Sequence, residues 1–102
     1  MSSYRHIVLF QFKADAPAAK VQAIVDAFKA LPGKLPAIRA FECGINVSPE
    51  GLDQGFTHIF TVTFASKEAL EKHYLHEPAH QAFVATLGGV LEKALVVDYV
   101  AQ

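Results

Sequence analysis

The chain has 102 residues, 52% of them hydrophobic and 19% charged, which excludes a disordered protein and suits one domain over residues 1–102. Nine Lys and Arg against ten Asp and Glu give a net charge of −1 without a basic cluster, so nucleic acid is not expected as a partner. Apolar runs such as Ile7 to Phe10 are too short to span a bilayer, so no membrane partner is expected. The lone Cys43 has no intramolecular disulfide partner, and Met1 to His6 lack a signal-like apolar stretch, which favours the cytoplasm.

The first half of the chain predicts a strand, a helix and a second strand. Tyr4 to Phe12 is rich in β-branched and aromatic residues and is apolar on both faces, as in a strand covered on both sides. Asp15 and Pro17 are expected to start a helix, since Asp15 can accept the free amides of the first turn and proline is tolerated at early helical positions. The apolar residues of this helix recur at helical spacing from Val21 to Leu31. Pro32 and Gly33 end that helix, and a strand over 38–47 follows.

The second half repeats this order after a hairpin-like connection. Phe56 to Phe64 alternates as a strand, and Ser66 is expected to cap the next helix. Pro78 should interrupt that helix and start another helical piece over 79–87. A final strand over 93–100 closes the chain.

A short internal repeat links the two halves of the chain. The stretches from His6 to Phe12 and from His58 to Phe64 share His, Ile and Phe at an offset of 52 residues, although Ile and Phe are common in strands. Two βαβ halves indicate an α+β, ferredoxin-like βαββαβ protomer, whose sheet carries its helices on one face. The first and third strands would then lie side by side and parallel, which would make His6 and His58 neighbours.

The doubly apolar first strand predicts association. Helices cover only one face of a ferredoxin-like sheet, so the other face of this strand needs a cover. Two identical sheets packed face to face would supply it. We therefore expect a homodimer whose sheets enclose a barrel.

Five histidines are the most distinctive chemical feature, since no G-x-S-x-G, phosphate-loop, C-x-x-C or H-E-x-x-H motif is present. His76 and His80 have the four-residue spacing that grips a metal on a helix. Pro78 is expected to break the helix between them and no third ligand is evident, so no metal site is predicted. A solvated polar corner is the simpler interpretation of His73, His76 and His80.

Tyr74 and His80 bracket this corner as a candidate acid–base pair. A neutral imidazole accepts a proton from carbon or oxygen, and a phenol stabilises the oxyanion that forms. Asp98, in the apolar last strand, is suited to orient a histidine ring. The alternatives are packing and capping for the pair, a solvent-facing strand end for Asp98, and satisfied core or interface histidines for His6 and His58.

Six ordered blocks across nearly the whole chain resemble the stress-responsive A/B barrel (Dabb) family. They are the stretches 6–13, 44–48, 55–59, 62–66, 74–80 and 97–99. The resemblance implies a ferredoxin-like protomer and a homodimer whose sheets enclose the barrel, in agreement with the argument from the two-faced strand.

The resemblance also implies site residues. One class of members, plant polyketide cyclases, closes a linear polyketide by aldol condensation without a cofactor, using a tyrosine and a histidine that correspond to Tyr74 and His80. Asp98 also lies on a matching position. The substrate-binding positions implied are His6, His58, His76 and Phe28. The chain departs from these cyclases at Glu77 and in a less aromatic lining, so the substrate stays unassigned.

Three functions remain open at this point. The first is a homodimer that binds a small apolar or carbonyl-bearing molecule near Tyr74 and His80. The second is a cofactor-free enzyme in which His80 removes a proton α to a carbonyl and Asp98 steadies its ring. The third is a structural or protective protein. A cavity reaching Tyr74 and His80 favours the first two functions. Solid packing through the interior favours the third, the residues concerned being Phe10, Phe12, Phe60 and Phe64.

Overall fold

A computed structural model describes residues 3–102, so Met1 and Ser2, part of the opening segment considered above, lie outside the described residues. Four strands and three helices follow in the order β1 Tyr4–Phe12, α1 Ala18–Ala30, β2 Ala40–Ile45, β3 His58–Phe64, α2 Lys67–His73, α3 Pro78–Ala85 and β4 Leu91–Val100, with a short 3-10 turn at Leu31–Gly33. The predicted α+β order is confirmed. Helix α2 ends at His73, and α3 begins at Pro78, which lacks a backbone donor and suits a first helical turn.

The sheet has the order β2-β3-β1-β4, and all its neighbouring strands are antiparallel. The expected parallel pairing of the first and third strands is therefore wrong. A hairpin reverses the chain between β2 and β3, so β3 enters the sheet beside β1 in the opposite direction. His6 then pairs with Val62, and His58 pairs with Phe10, which separates the two histidines by four positions along β1, or about 14 Å.

Local sequence signals predict the start of α2 more accurately than the start of α1. Ser66 caps α2 as predicted, because its hydroxyl accepts a hydrogen bond from the Ala69 amide at 3.1 Å. Pro17 lies at the start of α1 as predicted, but the expectation that Asp15 caps this helix is wrong: Pro17 itself occupies the N-cap position, with extended backbone and no side-chain cap. Pro32 ends α1, since proline cannot continue the hydrogen-bond ladder.

An aromatic core fills the space between the helices and one face of the sheet. Phe28 from α1 stacks on Phe60 from β3 with ring centroids 4.3 Å apart, and Phe83 from α3 lies 4.7 Å from Phe28. Phe64 and Val62 of β3 are fully buried in the same layer. The apolar helix faces read from the sequence thus pack on a continuous aromatic layer.

The opposite face of the sheet carries a row of apolar side chains that the helices leave uncovered. We call this row the outer stripe: Ile7, Leu9, Leu95, Val97 and Tyr99. Ile7 pairs with Val97 and Leu9 with Leu95 across β1 and β4. Val97 and Tyr99 are 49% and 50% exposed. Within residues 3–102, no helix is long and apolar enough to cross a membrane.

Candidate functional site

Tyr74 lies at the centre of the candidate site, directly after α2. Its side chain is only 1% exposed and meets three rings: His80 at 4.4 Å, Phe64 at 4.9 Å and His6 at 5.8 Å between centroids. Burial raises the pKa of Tyr74 well above its usual range, so the phenol stays protonated at neutral pH. Tyr74 is therefore a hydrogen-bond donor held between two imidazoles.

His80 occupies the first turn of α3 and reaches back to the link that joins the two helices. Its Nδ1 lies 3.1 Å from the Leu75 carbonyl oxygen, and a carbonyl only accepts, so Nδ1 carries the hydrogen. In the neutral ring Nε2 is then free to take a proton. Burial lowers the pKa of His80; the hydrogen bond to Leu75 opposes this in part, and the electrostatic effect of His6 lowers the pKa to a lesser extent. The geometry and the pKa both favour a base.

The histidine that Asp98 contacts is His6 rather than His80. His6 and Asp98 pair across β1 and β4, and His6 Nδ1 donates to Asp98 Oδ1 at 2.7 Å. The Tyr4 hydroxyl donates to the other oxygen, Oδ2, at 2.9 Å. The register of the antiparallel strands therefore assembles a Tyr4–Asp98–His6 chain that ends beside Tyr74.

The remaining predicted site residues lie apart from this cluster. His58 is half-buried at the far end of β3, packs edge-on against Phe12 at 5.0 Å and hydrogen-bonds to the Thr57 hydroxyl. His76 is exposed on the link between α2 and α3. Phe28 is 2% exposed within the aromatic core rather than on a cavity wall. The structure thus joins His6, Asp98, Tyr74 and His80 but leaves these three outside.

Two members of the cluster are buried, whereas His80 is half-buried and Asp98 is partly exposed on the edge strand. His6 is 6% exposed and Tyr74 1%, and the core aromatics Phe10, Phe60 and Phe64 are between 0% and 3% exposed. A cleft of about 360 Å³ lies instead on the outer face, between Arg5 and Tyr99.

The sequence profile of the stress responsive A/B barrel domain family, Dabb, matches residues 4–101. The chain belongs to this family. The Dabb chain is similar to the stress-response A/B barrel domain-containing protein HS1 of Arabidopsis thaliana, at 39% identity over 93% of this chain and 86% of that protein. It is also similar to olivetolic acid cyclase of Cannabis sativa, at 30% identity over 93% of each chain.

Among solved structures, the Dabb fold matches a dimeric protein of unknown function and ferredoxin-like fold from Bacteroides fragilis. The TM-score is 0.74 at 28% identity, over 95% of this chain and 94% of that one. The predicted family and ferredoxin-like fold class are both confirmed.

The sequence analysis did not identify Tyr4 as a member of the candidate site. The available signal was the alternation of β1, which places Tyr4 two residues before His6 and therefore on the same sheet face. What the sequence did not supply was the register that brings Asp98 between the two side chains.

Proposed function

We propose that this protein binds a small carbonyl-bearing molecule beside Tyr74 and His80 and catalyses proton transfer at its α carbon. The observation that carries this proposal is the His80–Leu75 hydrogen bond, which fixes Nε2 as the proton-accepting nitrogen next to a buried phenol. Similarity to olivetolic acid cyclase over most of both chains supports the same class of chemistry.

The proposed reaction follows from these two groups. His80 Nε2 takes the α proton as the C–H bond breaks, and the bonding electrons move to the carbonyl oxygen to give an enolate. The Tyr74 hydroxyl donates a hydrogen bond to that oxygen. The enolate carbon then takes back a proton from the imidazolium or adds to a second carbonyl carbon, in which case the proton goes to the new alkoxide. The residues named supply this chemistry without a cofactor.

Deuterium exchange tests the proposal without knowledge of the natural substrate. In D₂O the protein should accelerate α-proton exchange of heptan-2-one in proportion to its concentration, as followed by proton NMR. Because burial lowers the pKa of His80, its neutral form persists below pH 6.5, the ordinary histidine value. The rate should therefore hold as the pH falls to 6.5 and decline only at lower pH. A decline already centred at or above pH 6.5 would contradict His80 as the base.

A structural role is the second candidate, and the closed core favours it. Tyr74 is nearly inaccessible to solvent, and the buried Phe28 packs directly against the rings of Phe60 and Phe83. Two results together would replace the first proposal by this non-enzymatic role. The protein would have to leave the exchange rate of heptan-2-one unchanged at every concentration, and addition of the diketone nonane-2,4-dione would have to leave the NMR chemical shifts unchanged.

We also infer that the protein is a cytoplasmic homodimer joined through the outer stripe. The half-exposed Val97 and Tyr99 and the dimeric state of the related Bacteroides fragilis protein support this association. The exposed, unpaired Cys43 suits a reducing compartment.

Replacing Val97 with lysine should separate the two copies. A charge at the centre of the outer stripe is desolvated on association, at a cost of about 2 kcal/mol or more. Sedimentation equilibrium should give twice the chain mass for the unaltered protein and a shift towards the monomer for Val97→Lys. Val84→Lys, at an exposed valine of α3, is the matched control and should remain dimeric. A monomeric unaltered protein at micromolar concentration would refute the association.

A further inference from the structure

Asp98 is held from two sides by residues that are distant in sequence. Its Oδ1 accepts a hydrogen bond from His6 Nδ1 at 2.7 Å, and its Oδ2 accepts one from the Tyr4 hydroxyl at 2.9 Å. The side chain of Asp98 is 27% exposed, whereas that of His6 is 8% exposed. Without a second anchor, a carboxylate on an edge strand is free to turn towards water.

Tyr4 has the properties of such an anchor. It is 8% exposed and lies on β1 two residues before His6, so both side chains face the helices. Burial raises the pKa of Tyr4, and the negative charges of Asp98 and Glu71 raise it further. The phenol therefore remains a donor, and its partner oxygen on Asp98 can only accept.

We propose that Tyr4 is a positioning residue that, by holding Asp98, fixes His6 in the tautomer with hydrogen on Nδ1. A free neutral histidine favours the other tautomer, with hydrogen on Nε2. The Tyr4–Asp98 pair reverses that preference and leaves His6 Nε2 unprotonated on the ring that packs against Tyr74. This inference rests on the proposed function for its purpose, since it gives the site a second accepting nitrogen, but its test requires no turnover.

Long-range ¹⁵N–¹H correlation spectra of the intact protein at pH 8 report the tautomer of His6 directly. The unaltered protein should show the Nδ1–H form. Tyr4→Phe keeps the ring and removes only the hydroxyl, and it should lower the ratio of the Nδ1–H to the Nε2–H form by about tenfold, since a hydrogen bond to a charged group is lost. Asp98→Asn, which removes the accepting charge, should lower that ratio at least as far.

Tyr99→Phe is the matched control. Tyr99 is the neighbour of Asp98 on β4 but belongs to the outer stripe, so removal of its hydroxyl should leave the His6 tautomer unchanged. A ratio within about twofold of the unaltered protein in Tyr4→Phe would overturn the proposal while leaving the role of His80 intact. If Tyr4→Phe fails to fold, the unaltered protein decides the outcome: predominance of the Nε2–H form at His6 would equally overturn it.

Discussion

Replacing His80 with glutamine is expected to slow α-proton exchange of heptan-2-one by about 10² to 10⁴-fold, the usual contribution of a general base. Glutamine keeps an amide donor of similar reach for the Leu75 carbonyl but offers no proton acceptor of comparable basicity. Tyr74→Phe should slow the same reaction by about 10² to 10³-fold, because it removes a donor to the enolate oxygen. Proton NMR of the exchanging ketone measures all three rates.

His73→Gln provides the matched control for His80→Gln. His73 is the last residue of α2, close in sequence to the site, but it is exposed. Its replacement should leave the exchange rate within a factor of about two, since no proton-transfer group is lost. Equal rates for His80→Gln and the unaltered protein, with both folded, would remove the basis for the acid–base proposal.

Replacing Phe28 with alanine is expected to lower the free energy of unfolding by about 3 to 5 kcal/mol. Phe28 is 2% exposed and touches aromatic rings from two strands and a helix, at 4.3 Å to Phe60, 4.7 Å to Phe83 and 5.4 Å to Phe41. Its removal leaves a void that the surrounding rings fill only in part. Urea unfolding at one fixed protein concentration measures the difference, since association also contributes to stability.

Val84→Ala serves as the control for this substitution. Val84 is 46% exposed on α3, and its shortening should change the free energy of unfolding by no more than about 0.5 kcal/mol. A loss below about 1 kcal/mol for Phe28→Ala would instead indicate that Phe28 borders an open ligand cavity, as the family resemblance implied.

Short-range features of the fold could be predicted because their causes lie within a few residues. Ser66 caps α2 through an amide three residues away, and Pro78 starts α3 through its own ring. Pro17 marks the start of α1 as predicted, whereas Asp15 lies two residues before the N-cap position and does not cap the helix. These outcomes depend on the local chain alone.

Strand direction and register could not be predicted in the same way. The internal repeat that contains His6 and His58 suggested that these residues are neighbours. The hairpin before β3 instead reverses the direction of that strand, so the two histidines lie at different positions of the sheet. The His6–Asp98 contact joins residues 92 positions apart, and only the β1–β4 register determines it. The residue types of the site were therefore identifiable from the sequence, whereas the assignment of Asp98 to His6 required the fold.

Strand β4 presents alternate side chains to two different environments. Asp98 points towards the candidate site, while its neighbours Val97 and Tyr99 belong to the outer stripe. Under the proposed association, a second subunit would press on the same strand that carries the carboxylate. The single strand β4 would then contribute both to the subunit interface and, through Asp98, to the surroundings of His6.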